Sequence, residues 1–217
     1  MKDLAQFAGL ILAAGESSRM GTDKAMLPWP PPAPGAPDPP RHTLVSSAIV
    51  ALEPLTKITV VVAGNNAEAI ATTVGACGAY LVRNPNSELG QFSSLQIGVR
   101  DILDRGCDAA IITPVDCPPL RPSSLELLRN AFIGALDHGL WAVAPENNGK
   151  HGHPLFVGRD LIDLFLQAPA TGNAREILRA HASRVVYVPV PDSLAKAGLN
   201  TPEEYEAQGI ETQRRSN

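Results

Sequence analysis

Short, almost unbroken apolar runs recur along the first half of the chain, and most give way to a stretch with helical spacing. Gly9–Ala13, Ile58–Ala63 (ITVVVA), Ala79–Val82 and Ala109–Thr113 (AAIIT) are runs of this kind. Such runs suit strands buried on both faces of a parallel sheet. Helical periodicity runs from the N-cap candidate Thr43 to Leu52. It resumes after Gly64-Asn65-Asn66 to about Val74, then from about Ser93 to Leu103 and from Pro122 to about Leu136. Beyond this, Trp141–Ala144, Leu155–Val157 and Arg184–Val190 predict further strands, and about Arg159–Gln167 and Asn173–His181 predict helices. A last short helix opens at Thr201-Pro202, with a good N-cap residue followed by proline at the first helical position. The alternation predicts one mostly parallel sheet covered on both faces, with a less regular second half. Ligands of such sheets bind outside the carboxyl ends of the strands. That points to Ala13–Lys24, Gly64-Asn65, Arg83–Ser94 and Pro114–Pro119.

One segment breaks the pattern. Pro28 to Pro40 reads PWPPPAPGAPDPP, and so many positions lack an N–H that neither a helix nor a central strand is possible. An exposed, extended insertion over 28–40 is expected, together with a flexible tail from about 209 to 217 on a single domain spanning 1–217. At 217 residues, one α/β domain can bury a core without staples. Aromatics are only 5% of the chain, so that core is built from Ala, Val, Leu and Ile. The net charge of −4 and the absence of basic blocks, apart from Arg214-Arg215, argue against nucleic acid or an anionic membrane as partner. Three widely spaced cysteines form no CxxC pair, which argues against a zinc site or a disulfide frame. No run approaches a membrane span, and the N-terminus does not read as a signal peptide, so a cytoplasmic protein is expected.

The first strand ends in GLILAAGESSRMGTDK, residues 9 to 24. This is not the phosphate-binding P-loop, G-x-x-x-x-G-K-[ST], because five residues separate Gly15 from Gly21 and no hydroxyl follows Lys24. Nor is it the G-x-G-x-x-G dinucleotide fingerprint, which excludes a dehydrogenase of that type. The ingredients of anion binding are nonetheless present. Small residues let backbone N–H groups approach a ligand, and Arg19 and Lys24 supply two cations. Past the fourth strand, Asp116 stands between Val115 and Cys117-Pro118, where packing gives no reason for a carboxylate; a turn cap is the alternative.

The string LAAGESSRMGTDKAMLP, Leu12 to Pro28, resembles the signature L-A-[AG]-G-x-[SG]-x-R-[ML]-G-x-x-K-x-L-L-P of the MobA-like nucleotidyltransferases. The likeness continues through NPNSELGQFSSLQIGV (Asn84–Val99), ITPVDCPPL (Ile112–Leu120), GHPLFV (Gly152–Val157), TGNAREIL (Thr171–Leu178) and LNTPEEYE (Leu199–Glu206). It implies a single three-layer α/β/α, Rossmann-like fold with a mostly parallel, mixed sheet, similar to the nucleotide-diphospho-sugar transferases. It implies transfer of a nucleoside monophosphate from an NTP to a phosphorylated small-molecule acceptor, with release of pyrophosphate and dependence on Mg²⁺.

By the same resemblance, the backbone of Leu12, Ala13, Ala14 and Gly15 meets the base and ribose, while Arg19 and Lys24 meet the triphosphate. Asp116 binds Mg²⁺, and Asn200 falls on the second metal position, where many relatives carry aspartate. An alternative role for Asn200 is to cap the helix at Pro202. Relatives with Ala at the position of Ala14 tend to use CTP and those with Gly tend to use GTP, so CTP is favoured. Asn84, Ser93 and Ser94 are candidates for contacts to nucleotide or acceptor; the serines are equally read as helix caps. His153 and Arg175 are candidates for the acceptor, against a solvated loop histidine and an arginine paired with Glu176 or Asp163. Cys117 reads as a packing residue, without a base partner that would make it a nucleophile. A monomer or weak homodimer is expected. A sugar phosphate or other metabolite as acceptor, and a non-catalytic nucleotide-binding regulator, are the competing readings; aromatics are scarce in the second half, which weighs against a pterin-type cofactor.

Overall fold

Alternation within single strands explains the architecture. In β1 (Phe7–Ala13) every residue is buried, and successive side chains point to opposite faces. Ile11 and Ala13 enter one apolar cluster, whereas Leu10 and Leu12 enter a second. The same division holds in β2 (Ile58–Ala63), where Val61 faces one side and Val60 and Val62 the other. A strand apolar on both faces must be covered on both faces. The first cluster is roofed by α1 (Leu44–Leu52), α2 (Ala67–Ala76) and α4 (Pro122–Asp137). The second is roofed by α3 (Gln91–Asp104), α5 (Arg159–Gln167) and α6 (Ala174–Ala180).

The computed structural model describes residues 7–15, 22–32, 42–196 and 198–208. Arg19, most of the proline-rich segment and the tail lie outside the described residues. The remaining strands are β3 (Tyr80–Arg83), β4 (Ala109–Pro114), β5 (Ala142–Asn147), β6 (Lys150–His151), β7 (Leu155–Val157) and β8 (Val185–Pro189). The sheet order is β3-β2-β1-β4-β7-β5-β6, with β8 pairing β5. β3, β2, β1 and β4 are mutually parallel, with Leu10 opposite Val60 on one side and Ile112 on the other. β7 runs antiparallel between β4 and β5, and β8 is again parallel to β5. This is the expected mixed, mostly parallel three-layer fold. The hairpin strand β6 and the short 3-10 turns at Lys24–Met26 and Ser193–Lys196 were not among the expected elements. A two-residue strand and a single turn carry too few residues to show a period.

One helix start moves, for an identifiable reason, and another does not. α3 starts at Gln91, two residues before the expected Ser93, because Gly90 takes the N-cap with φ 99°, a conformation glycine adopts without strain. The expected start at Thr43 is matched: its side chain accepts from Ser46 N, and Ser46 Oγ accepts from Thr43 N. Glycine has a second use at Gly98, whose missing side chain lets α3 sit on β1 and β2. An added Cβ there would collide with Leu10 Cδ1 and come within 2.9 Å of Val62 Cγ2.

Candidate active site

The carboxyl ends of β1 and β4 open into one cleft. Its volume is about 510 Å³. Leu12, Ala13, Ala14 and Gly15 line it from β1, and Pro114, Val115 and Asp116 from β4. Ser87, Glu88, Gly90, Gln91 and Ser94 form one wall; Asp23, Lys24 and Asn200 complete the lining. The pairing of β1 with β4 continues past the strand ends, with Val115 N donating to the Leu12 carbonyl at 3.0 Å. That bond holds the small-residue loop beside Asp116, although roughly a hundred residues separate them in sequence.

Lys24 is carried by the 3-10 turn Lys24–Met26, which Asp23 caps by accepting from Ala25 N at 3.0 Å. The Lys24 ammonium stands 3.2 Å from Asp116 Oδ2 and 3.2 Å from Asn200 Oδ1. Two oxygens from residues far apart in the chain, Asp116 and Asn200, therefore converge on a single cationic centre. Asn200 reaches it because the C-terminal segment is strapped across the β4 end. Leu199 N donates to the Asp116 carbonyl at 2.9 Å, and His153 N donates to the Ala195 carbonyl at 3.2 Å. The strap is anchored by Asp192, which is fully buried and accepts from Arg121 N at 2.9 Å, Leu194 N at 3.2 Å and Ser124 Oγ at 3.4 Å. Asp192 thereby caps α4, which has no side-chain cap of its own.

The two alternatives left open for Asn200 separate here. Helix α7 (202–208) is capped by Thr201, whose Oγ1 accepts from Glu204 N at 3.3 Å, and Glu204 Oε2 accepts from Asn200 N at 2.6 Å and Thr201 N at 3.2 Å. That is a capping box, and it leaves the Asn200 amide oxygen turned to the cleft.

Other candidates sort differently. Ser94 lines the cleft, but Asn84 and Ser93 lie behind it. Asn84 is buried, donates to both Ser93 Oγ and Ser94 Oγ at 2.9 Å, and accepts from Asn86 N at 2.9 Å. Ser93 Oγ donates to the Gly90 carbonyl at 2.8 Å. These two brace the wall from within and do not reach the cleft, and neither serine is a helix cap. Arg175 is exposed on α6 and outside the cleft lining. Its proposed partner Asp163 is bonded to Arg159 at 2.8 Å instead. His153 lies close enough to feel both Asp116 and Arg175. Burial pushes its pKa below the usual histidine value, and Nδ1 has no hydrogen-bond partner among the described residues. Cys117 Sγ lies 3.9 Å from Asp116 Oδ1; burial first, and then the neighbouring carboxylate, raise its pKa, so the thiol stays protonated. That agrees with a packing role.

The lining also includes residues that sequence reasoning passed over, Asp23, Ser87 and Glu88, beside Gly90 and Gln91. All lie inside motifs already singled out, so their positions were signalled although their roles were not. Gly64, at the end of β2, permits the wall to close. A Cβ there would stand 2.8 Å from Ser87 Oγ and 2.9 Å from the Ala14 carbonyl. Asn66, read as a turn residue, bonds to Asp23, Ala13 and Gly64.

Among the described residues lining the cleft, Asp23, Glu88 and Asp116 carry negative charge and Lys24 is the one cation. An anionic ligand entering here needs more positive charge than these residues provide. A divalent metal fits the donor set. Asp116 Oδ2 and Asn200 Oδ1 are hard oxygen donors already sharing one cation, which suits an ion that keeps water and phosphate ligands. Among the described residues no group of three or more His, Cys, Asp or Glu side chains could hold a metal, so a closed zinc-type cage is not formed there.

Comparison with known proteins gives the family and the fold. The model of the MobA-like NTP transferase domain matches residues 9–185. The molybdenum cofactor cytidylyltransferase of Escherichia coli (strain K12) is 27% identical over 170 residues, covering 78% of this chain and 79% of that protein. A probable molybdenum cofactor guanylyltransferase of Mycobacterium avium (strain 104) is 27% identical over 201 residues, covering 93% of this chain and 94% of that protein. A solved nucleotidyl transferase from Methanothermobacter thermautotroptrophicus superposes with a TM-score of 0.74 at 20% identity, over 97% of this chain and 99% of the other.

Proposed function

We propose, for a chain that belongs to the MobA-like NTP transferase family, that it transfers a cytidylyl group from CTP to a phosphorylated acceptor of the molybdenum-cofactor type. As a nucleotidyltransferase it must hold a triphosphate, neutralise it and align an incoming phosphate. The observation that carries the reading is the convergence of Asp116 Oδ2 and Asn200 Oδ1 on Lys24 Nζ, each at 3.2 Å, at the mouth of β1 and β4.

In this reading the base and ribose lie against Leu12–Gly15 and the wall of Ser87, Gly90, Gln91 and Ser94. Lys24, with Arg19, meets the triphosphate. Asp116 and Asn200 hold Mg²⁺, which when bound neutralises phosphate charge. The acceptor enters from the side of His153 and Arg175. Its phosphate oxygen forms the new bond to the α-phosphorus as the bond to pyrophosphate breaks. An acceptor phosphate is already ionised near neutral pH, so no side chain need remove a proton. Catalysis is then positioning and charge stabilisation. CTP is favoured over GTP by Ala14 beside Gly15.

The guanylyltransferase relative keeps GTP as the competing nucleotide. The test is pyrophosphate release from CTP and GTP with Mg²⁺, using the molybdenum cofactor or a hexose phosphate as acceptor. Release from CTP with the cofactor is expected. Faster release from GTP would overturn the base assignment, and release only with the sugar phosphate would overturn the acceptor. Tight nucleotide binding with no release from any pair would favour a regulator.

A further inference from the structure

We infer that Asn66 is a positioning residue for the nucleotide loop, setting where the Lys24 ammonium stands. The inference rests on the reading of Lys24 as a triphosphate ligand given above.

Asn66 is the N-cap of α2, with φ −83° and ψ 6°. Asparagine is favoured there because its side-chain oxygen ordinarily accepts a hydrogen bond from an N–H of the first helical turn, worth about 1 kcal/mol. Asn66 makes no such bond. Its amide is turned the other way, and both ends are used. Oδ1 accepts from Gly64 N at 3.1 Å, while Nδ2 donates to the Ala13 carbonyl at 3.0 Å and to Asp23 Oδ2 at 2.8 Å.

One side chain therefore ties the end of β2 to the end of β1, and both to Asp23. The other carboxylate oxygen of Asp23 accepts from Ala25 N at 3.0 Å and starts the turn on which Lys24 rides. Gly64 keeps the strand ends this close, since a Cβ there would meet the Ala14 carbonyl at 2.9 Å. Asn66 itself does not line the cleft, so it acts through Asp23 and Lys24.

The chemistry needs both halves of the amide. Aspartate at 66 offers no donor and puts two carboxylates face to face. Alanine leaves the Ala13 carbonyl and Asp23 Oδ2 without this donor, and Gly64 N without this acceptor. Lys24 sits at the first position of the turn, so a loosened Asp23 moves the ammonium directly. Displacing a positioning group by about 1 Å can cost as much as 100-fold in rate.

The test is a double-mutant cycle read by calorimetric titration with Mg²⁺ and CTP, or GTP if it binds more tightly. Thermal midpoints are recorded for every variant. Asn66→Ala should weaken nucleotide affinity about tenfold. In the Lys24→Ala background the same change should cost less than about twofold, because the group it positions is gone. A merely structural role would multiply the two losses, and that outcome overturns the inference. The reciprocal pair Asp23→Asn with Asn66→Asp restores a donor and acceptor across the 2.8 Å contact. It should recover affinity relative to Asn66→Asp alone, and the absence of recovery would also count against the inference. These two variants keep the proposal falsifiable if Asn66→Ala fails to fold. Unchanged affinity in Lys24→Ala would sink both this inference and the reading beneath it. A loss in Lys24→Ala with none in Asn66→Ala would sink this inference alone.

Discussion

The two halves of the molecule build their shares of the cleft differently. From β1 to β4 the chain is a run of parallel strands, and the residues that meet the cleft lie at a strand end or in the loop and first helical turn that follow it. Leu12 and Ala13 close β1 with Ala14 and Gly15 just beyond it, Ser87, Glu88, Gly90, Gln91 and Ser94 come after β3, and Asp116 follows β4 by two residues. From β5 to β8 the strands change direction, and the one lining residue supplied by that half among the described residues, Asn200, arrives on a strap held by distant bonds. Leu199 grips the Asp116 carbonyl, Ala195 receives the His153 N–H, and Asp192 locks the strap to α4. A parallel sheet delivers loops to one edge by its topology alone. A mixed sheet needs tertiary ties to do the same. Changes at the lining residues of the first half should therefore strike ligand contacts directly, whereas changes behind that lining, and in the second half, should act through position, charge or stability.

The largest effect is expected at Asp116. Asp116→Ala should lower pyrophosphate release at least about 100-fold, the scale for losing one electrostatic contact to the reacting centre, with an unchanged circular-dichroism spectrum. A rate within a few-fold of wild type would remove Asp116 from the metal site. Lys24→Ala comes next. Loss of a charged hydrogen-bond donor worth about 1.5–3 kcal/mol should weaken NTP affinity by roughly 10- to 100-fold, as measured by calorimetry. Asn200→Asp sharpens the contrast from the other side, because it adds the charge that the amide lacks. The Mg²⁺ concentration giving half-maximal activity should fall severalfold; no shift would mean that the strap does not bring residue 200 to the metal.

Stability variants probe the frame. In the parallel half, Gly98→Ala inserts a methyl group against Leu10 and Val62. It should cost about 1–3 kcal/mol by chemical denaturation, as overpacking does. In the mixed half, His153 has a native pKa below its unfolded value of about 6.5. Below that value the unfolded chain binds more protons than the native one, so stability rises with pH and is lost as pH falls through this window. His153→Asn should flatten the pH dependence of the thermal midpoint below about pH 6.5, and an unaltered slope would show that another group carries it.

Legibility followed the same division. The strands β1, β2 and β4 and the helices α1 and α4 were readable because unbroken apolar runs and helical periods dominate local preference there. Asp116 was readable because a carboxylate just past a buried strand has little structural excuse. Three features were not readable. β6 is too short to show a period. Asn84 and Ser93 sit in a motif shared with ligand-lining residues, yet they serve one another as hydrogen-bond partners under the wall. Asn66 carries the composition of a turn, and nothing local says that its amide faces Asp23, 43 positions away. The role of Asn200 was left open between a cap and a ligand, and only the position of Thr201 and Glu204 in space shows that the cap is already supplied.

The central claim is that the cleft at the ends of β1 and β4 binds a nucleoside triphosphate with Mg²⁺ through Asp116. It is tested most directly by the thermal midpoints of the wild type and Asp116→Ala with each of the four NTPs, with and without Mg²⁺. A ligand at free concentration L that binds only the folded protein stabilises it by RT ln(1 + L/Kd), so at a fixed concentration the midpoint rises more for a tighter ligand. The account predicts the largest rise with CTP, dependent on Mg²⁺ and lost in Asp116→Ala. An equal rise in the variant, or a rise indifferent to Mg²⁺, would contradict it.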